Sequence, residues 1–217
     1  MFSDQGRTLI MTAVSEEKRA IQRGLQNNPN IDVMLAGVGP VSAAAHTAKL
    51  LATGKYKLVI STGIGGGFIG KAEVGTLVVS NLIAAADIGV ETLDGFRRLE
   101  ELGFGSTQVE VDSELVFRVT EALQAEKIHM VIGPIITVAT ATGTAESADE
   151  RARRVLGAAA EGMEGYGVAL AAQIFGIRAL EIRAISNLVG PRDRSAWRMK
   201  EAFDLLEKTY SVLGEIL

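Results

Sequence analysis

By residue type, acid–base chemistry in this chain rests on carboxylates. There is no Cys and there are two His among 217 residues, which removes a thiol nucleophile, a thiolate zinc site and a disulfide framework. His46 and His129 are far apart in sequence, and neither lies near a Gly-x-Ser-x-Gly elbow. A His-rich metal cluster and a Ser-His-Asp triad are therefore disfavoured, and no metal is expected. Two acids are placed unusually. Glu17 closes the run Ala13-x-x-Glu16-Glu17 at the start of an expected helix, where the helix dipole bears on a carboxylate. Glu164 stands between Met163 and Gly165 in an apolar stretch, an uncommon setting for a surface acid. The plainer readings are a solvated helix-start acid at Glu17 and a core methionine at Met163.

Two glycine turns offer backbone N–H groups to an anion or hydroxyl: Gly37-x-Gly39-x-x-Ser42 and Gly65-x-Gly67-x-x-Gly70. A dinucleotide site would need a carboxylate at the end of the next strand. After Gly37 that strand is Leu58-Val59-Ile60-Ser61-Thr62, with neither an acid nor an arginine at its end. The second turn is followed by no convincing helix. No nucleotide cofactor is expected.

The elements that must position these residues alternate. Strands are expected at Thr8–Val14, Ile31–Ala36, Leu58–Thr62, Thr76–Ala86, Ile135–Ala139 and Arg178–Ile185, with a strand end at Ala158–Gly162. Helices are expected at Ser15–Gln26, Val41–Thr53, Asp112–Ala125, Ser147–Arg154, Tyr166–Phe175 and Ser195–Gly214, with Ser15 as the first N-cap and Lys18 as N3. Near-continuous apolar strands between helices imply a sheet covered on both faces. One three-layer α/β/α domain over residues 1–217 is expected. A hydrophobic content of 47% is ample for its core, and a net charge of -4 predicts no general attraction to nucleic acid or an anionic membrane. The start, MFSDQGRTLIMTAV, is unlike a signal peptide, and no apolar run reaches membrane-spanning length. A cytoplasmic protein is expected.

Three segments taken together carry a resemblance: Ala13-x-x-Glu16-Glu17, Ser61-Thr62-Gly63-Ile64-Gly65-Gly66-Gly67, and Met163-Glu164-Gly165 with Arg183-Ala184-Ile185-Ser186-Asn187. In this order, from about Leu9 to Leu213, the chain resembles the purine nucleosidase/nucleoside phosphorylase superfamily, especially the methylthioadenosine/adenosylhomocysteine nucleosidases. The fold this implies is a three-layer α/β/α domain with a mixed central sheet. The activity it implies is cleavage of an N-glycosidic bond through an oxocarbenium-like ribosyl transition state. On the same resemblance, Glu17 is the water-activating base, Glu164 accepts hydrogen bonds from the ribose hydroxyls, and Met163 packs beneath the sugar. Ile64, Gly65 and Gly66 fall in the substrate-binding loop after the third strand.

Departures from the family pattern refine the reading. Asn187 stands where adenine-specific relatives have an aspartic acid, and its amide suits a 6-oxopurine, accepting from N7–H and donating to the 6-oxo group. A hypoxanthine leaving group follows, with Ser186 orienting the amide; a strand-end Asn terminating a ladder is the plainer alternative. Phosphorolytic relatives carry an arginine in the loop after strand three, whereas Leu58–Gly70 holds no basic residue. Water is therefore the expected acceptor. Gly190-Pro191-Arg192-Asp193-Arg194-x-x-Trp197 looks like the branch that hydrolyses futalosine in the alternative menaquinone route. Arg192 or Arg194 is expected to meet the benzoate of that substrate, with Trp197 or Phe68 on its ring; a helix-start charge cluster is the alternative. Phe96 and Phe104 lie in an irregular segment, Thr92–Gly105, and either line a pocket or pin a loop. Competing activities are adenine release from methylthioadenosine, adenosylhomocysteine or aminofutalosine, phosphate-dependent phosphorolysis, and a non-catalytic nucleoside sensor. A homo-oligomer, most simply a dimer, is expected from the family.

Overall fold

Leu58, Val59 and Ile60 are all buried although successive strand residues point to opposite faces, so their strand is covered on both sides. A computed structural model describes residues 6–217; the first five residues of the segment weighed as a leader lie outside it. The elements are β1 (Arg7–Thr12), α1 (Ser15–Leu25), β2 (Ile31–Leu35), α2 (Pro40–Leu51), β3 (Tyr56–Gly67), β4 (Leu77–Ala85), β5 (Gly89–Thr92), β6 (Gly95–Arg98), β7 (Gln108–Glu110), α3 (Ser113–Ala125), β8 (Met130–Thr137), α4 (Ala145–Arg154), β9 (Ala160–Gly162), α5 (Gly165–Ile174), β10 (Arg178–Leu188) and α6 (Met199–Leu213).

The main sheet has eight strands and is mixed. It runs β10-β4-β8-β9-β3-β1-β2, with β7 on β4, and β10 also pairs with β3, so five strands close into a ring. β1, β2, β3 and β10 are parallel, while β9 meets β3 antiparallel. Helices α1, α3 and α6 pack together, and α2 packs on α5, giving the two outer layers of the expected α/β/α arrangement. Parallel strands β1, β3 and β10 point their carboxyl ends the same way, β3 and β10 running on together past the end of β1, and ligands of such sheets bind beyond the carboxyl ends. No helix among the described residues is long and apolar enough to cross a membrane.

Four local expectations are corrected. The glycine run after the third strand is strand, not loop: β3 continues to Gly67, with Gly65 paired to Ile185 and Gly66 to Asn187. Its backbone N–H and C=O groups find ladder partners, which composition could not reveal. Helix α1 is capped at Val14, not Ser15, and N3 is Glu17, whose carboxylate takes the Val14 N–H at 3.2 Å. The last helix begins at Met199 rather than Ser195, because Asp193, accepting from the Ser195 N–H, opens a separate 3-10 turn that ends in extended backbone at Trp197. The segment taken as irregular, Thr92–Gly105, holds β6, which pairs with β5 immediately before it and sets Phe96 opposite Glu91.

Candidate active site

At the ends of β1, β3, β9 and β10 a cleft of about 300 Å³ opens; its walls include Glu17, Ile64, Gly65, Gly66, Met163, Glu164, Arg183, Ser186 and Asn187, and its rim Arg192, Trp197 and Met199. The described structure thus brings ten of the residues singled out from sequence into one cleft. Arg194 is not among them: it lies in the exposed 3-10 turn and does not line the cleft. Arg192 lies 5.2 Å from the ring centre of Trp197. Phe68 does not reach the cleft either; it is buried in an apolar cluster with Val189, Ile136 and Ala84. Phe96 lies beneath the Arg154 guanidinium 3.8 Å away in a separate groove, and Phe104 is exposed.

Glu17 is buried because its carboxylate reaches from the first turn of α1 onto β3 at Gly63 and Ile64. Its Oε2 accepts from the N–H of Ala13 at 2.9 Å and of Val14, and its Oε1 accepts from the N–H of Ile64 at 3.0 Å. A Cβ on Gly63 would sit 2.3 Å from that carboxylate, so only glycine leaves it room. Burial raises its pKa above the ordinary glutamate value, against the opposing pull of Arg183 and of the Ile64 and Val14 N–H groups. A carboxylate held this way is oriented and more basic than one in water, the two properties a base for water requires.

Glu164 enters from the start of α5. Its Oε1 accepts from the Gly39 N–H at 3.1 Å and its Oε2 from Arg183 Nη2 at 3.2 Å. The Gly37–Gly39 turn therefore serves a carboxylate of the protein, which accounts for one of the two glycine turns seen in the sequence. Ser186 Oγ donates to Asn187 Oδ1 at 2.8 Å, and Asn187 Nδ2 donates to the Leu188 carbonyl at 3.0 Å.

Sequence reading missed the centre of this arrangement. Arg183 is buried and donates from Nε to Glu181 at 2.8 Å, from Nη1 to the Ile64 carbonyl, and from Nη2 to Ser61 Oγ and Glu164. Burial works against its charge, but Glu181, Glu164 and Glu17 outweigh that and hold its pKa above the ordinary value. Glu181 is pushed by burial up to about 7 despite its arginine partner. Its Oε2 occupies the place of a Cβ on Gly165, 1.9 Å away, which explains the glycine after Met163-Glu164. The available signal was a Glu and an Arg two residues apart in an otherwise apolar strand, hence on one face and buried together.

Residues 9–213 match the family model of the phosphorylase superfamily. The chain is 43% identical to the futalosine hydrolase of Streptomyces coelicolor, across 96% of this chain and 95% of that protein. It is 44% identical to that of Acidothermus cellulolyticus, across 96% and 90%. In fold it is similar to the futalosine hydrolase of Helicobacter pylori, with a TM-score of 0.86 and 18% identity over 98% of both chains. It is also similar to the 5'-methylthioadenosine/S-adenosylhomocysteine nucleosidase of Neisseria meningitidis, with a TM-score of 0.84 and 18% identity over 97% of this chain and all of the other. Motif order, topology and a match over nearly the whole length agree: the chain belongs to the phosphorylase superfamily.

Proposed function

We infer that this protein is an N-glycosyl hydrolase acting on futalosine, releasing hypoxanthine and dehypoxanthine futalosine in menaquinone biosynthesis. The observation that carries this is identity above 40% to two futalosine hydrolases over nearly their full length, in a chain that lines one cleft with Glu17, Glu164 and Asn187.

In this reading the ribose lies over Met163 with its hydroxyls on Glu164, whose negative charge favours the oxocarbenium-like ring. Glu17 takes a proton from the attacking water. Arg183 holds Glu164 and Glu181 in place and balances their charge. As the glycosidic bond breaks, the electron pair passes to the purine, which takes up a proton at N7 from solvent; the Asn187 amide oxygen accepts a hydrogen bond from that N7–H and its NH2 donates to the 6-oxo group. Water is the acceptor rather than phosphate: of the cations lining the cleft, Arg183 is committed to Glu181, Glu164, Ser61 and Ile64, and Arg192 lies at the rim. Arg192 meets the substrate benzoate, with Trp197 on its ring.

These 217 residues form one domain, which pairs with a second copy. A nearly all-apolar face built from Pro40, Val41, Ala44 and Ala48 of α2 and Leu170 and Ile174 of α5 supports this, with Val41 and Ile174 largely exposed. Light scattering should return twice the 23.0 kDa chain mass, and Val41→Glu should return the monomer. Absence of cysteine supports a cytoplasmic setting.

The deciding assay incubates the protein with futalosine, aminofutalosine, inosine and methylthioadenosine, with and without phosphate. Hypoxanthine released from futalosine without phosphate is the expected result. Strict phosphate dependence, or adenine release from methylthioadenosine alone, would overturn it.

A further inference from the structure

Glu181 is a buried carboxylate to which the chemistry above gives no part of its own. It lies on β10 two residues before Arg183 and does not line the cleft, but it touches the arginine that does. Its Oε1 accepts from Arg183 Nε at 2.8 Å, while its Oε2 has no hydrogen-bond partner. Arg183 is already paired without it: Glu164, Ser61 and the Ile64 carbonyl take both terminal nitrogens. An arginine with one carboxylate is a neutral unit, and burying a second carboxylate with an unpaired oxygen is costly. The chain nevertheless makes room for it, since Gly165 leaves bare the space that Oε2 fills.

The charges show what it adds. Glu164 faces the sugar, and its worth in the transition state is its negative charge. Arg183 Nη2, 3.2 Å from Glu164 Oε2, would by itself cancel that charge. With Glu181 ionised on Nε, the three groups together carry one net negative charge. We propose that Glu181 is a positioning residue for the glycosidic reaction: by taking up Arg183 through Nε, it keeps Glu164 an effective anion toward the developing ribosyl cation. This rests on the reading of Glu164 as the ribose contact.

Burial pushes Glu181 up to about 7 against its arginine partner, and Glu164 at the start of α5 adds to the rise. Of the other groups around it, Arg183 is held above its ordinary value and stays charged. Burial raises Glu17 on α1, and it raises the Tyr210 hydroxyl on α6, which stays neutral. Strand β9 brings Glu161, raised by burial and held by Thr142, while β3 and β4 bring the hydroxyls of Ser61 and Ser80. Glu181 therefore gains its charge as pH rises through 7, and Glu164 becomes the stronger anion as it does.

Glu181→Gln keeps the shape and an oxygen for Arg183 Nε, and it copies the protonated acid. Its kcat on futalosine should lie about tenfold below wild type at pH 8 and within about threefold of it at pH 5.5. KM should stay within about threefold at both, because the ribosyl cation exists only in the transition state. A loss equal at the two pH values, or one carried by KM, is that of a structural ion pair and overturns the assignment. A second arm reads the charge without turnover, by calorimetry at pH 7.5. It compares 1,4-dideoxy-1,4-imino-D-ribitol, whose amine protonates to a ring cation, with uncharged 1,4-anhydro-D-ribitol. The ratio of their affinities should fall at least about fivefold from wild type to Glu181→Gln, and a smaller change overturns the proposal. Should Glu181→Gln not fold, the same ratio in Glu17→Gln, which lacks the Glu17 titration, should rise at least about fivefold from pH 5.5 to pH 7.5. A flat ratio there is equally fatal. If the ratio responds to Glu181→Gln but wild-type protein releases no hypoxanthine from futalosine, the proposed activity fails and the assignment of Glu181 stands.

Discussion

Arg183 Nη2 meets Glu164 Oε2 at 3.2 Å with both side chains buried, and the same guanidinium holds Glu181 through Nε. One cation therefore sets the position of the acid read as the ribose contact. Removing it strands two carboxylates in a dry site, which costs about 3–5 kcal/mol for a broken buried pair. For a chain of this length the midpoint should fall by roughly 6–20 °C at neutral pH. The loss should shrink at pH 5, where Glu181, already pushed by burial up to about 7, takes up a proton. Calorimetry of Arg183→Met at both pH values checks this, and an equal loss at the two would contradict it.

Glu17→Gln keeps the shape and the neighbours but cannot accept a proton. If Glu17 activates water, kcat should fall about 10²–10⁴-fold with KM within a few-fold. The acid limb of wild-type kcat/KM should lie above pH 4.5, the ordinary glutamate value, because burial raises this group. Activity rises with pH there, since the base works ionised. Near-normal turnover in the variant would remove Glu17 from the reaction.

How much of this was legible beforehand follows from which signals are local. Glu17, Met163, Glu164, Ser186 and Asn187 lie in short motifs beside strand ends, so sequence alone brought them to one region. Arg183 sat inside a quoted motif without a role, because its meaning depends on Glu181, Glu164 and Ile64, the last 119 residues away in the chain. The glycine run misled because Gly usually weakens a strand. Here it is favoured for its missing side chains, which make room for Glu17 at Gly63. Helix edges slipped where capping was non-standard, at Val14 and after Asp193.

Burial lifts Glu181 to about 7 in the folded chain, while unfolded it titrates near 4.5. Between these values the native state binds the extra proton, so this group's stabilising effect is complete below about pH 4.5 and is lost as pH rises through 7. Glu181→Gln lacks that titration. Its overall stability should drop, since Arg183 loses a charged partner, but its midpoint should fall less steeply from pH 5 to pH 8 than that of wild-type protein. Parallel pH profiles would refute the assignment of that proton to Glu181.

The cleft rim separates two arginines that sequence could not. Arg192 lines it beside Trp197, whereas Arg194 lies outside. Arg192→Gln should raise KM for futalosine about tenfold or more and change KM for inosine, which lacks the benzoate, by less than threefold. Arg194→Gln should do neither. If the two variants behave alike, the carboxylate is not bound at this rim.

Asn187→Asp alters the base side alone. Ser186 Oγ can still donate to the new side chain, so its orientation is retained. The carboxylate has lost the NH2 that faces a 6-oxo group and has gained an acceptor for a 6-amino group. Its ratio of kcat/KM for aminofutalosine to futalosine should therefore rise about tenfold or more. Adenine and hypoxanthine release from the two substrates gives that ratio directly. A ratio unchanged from wild type would mean that Asn187 takes no part in choosing the base.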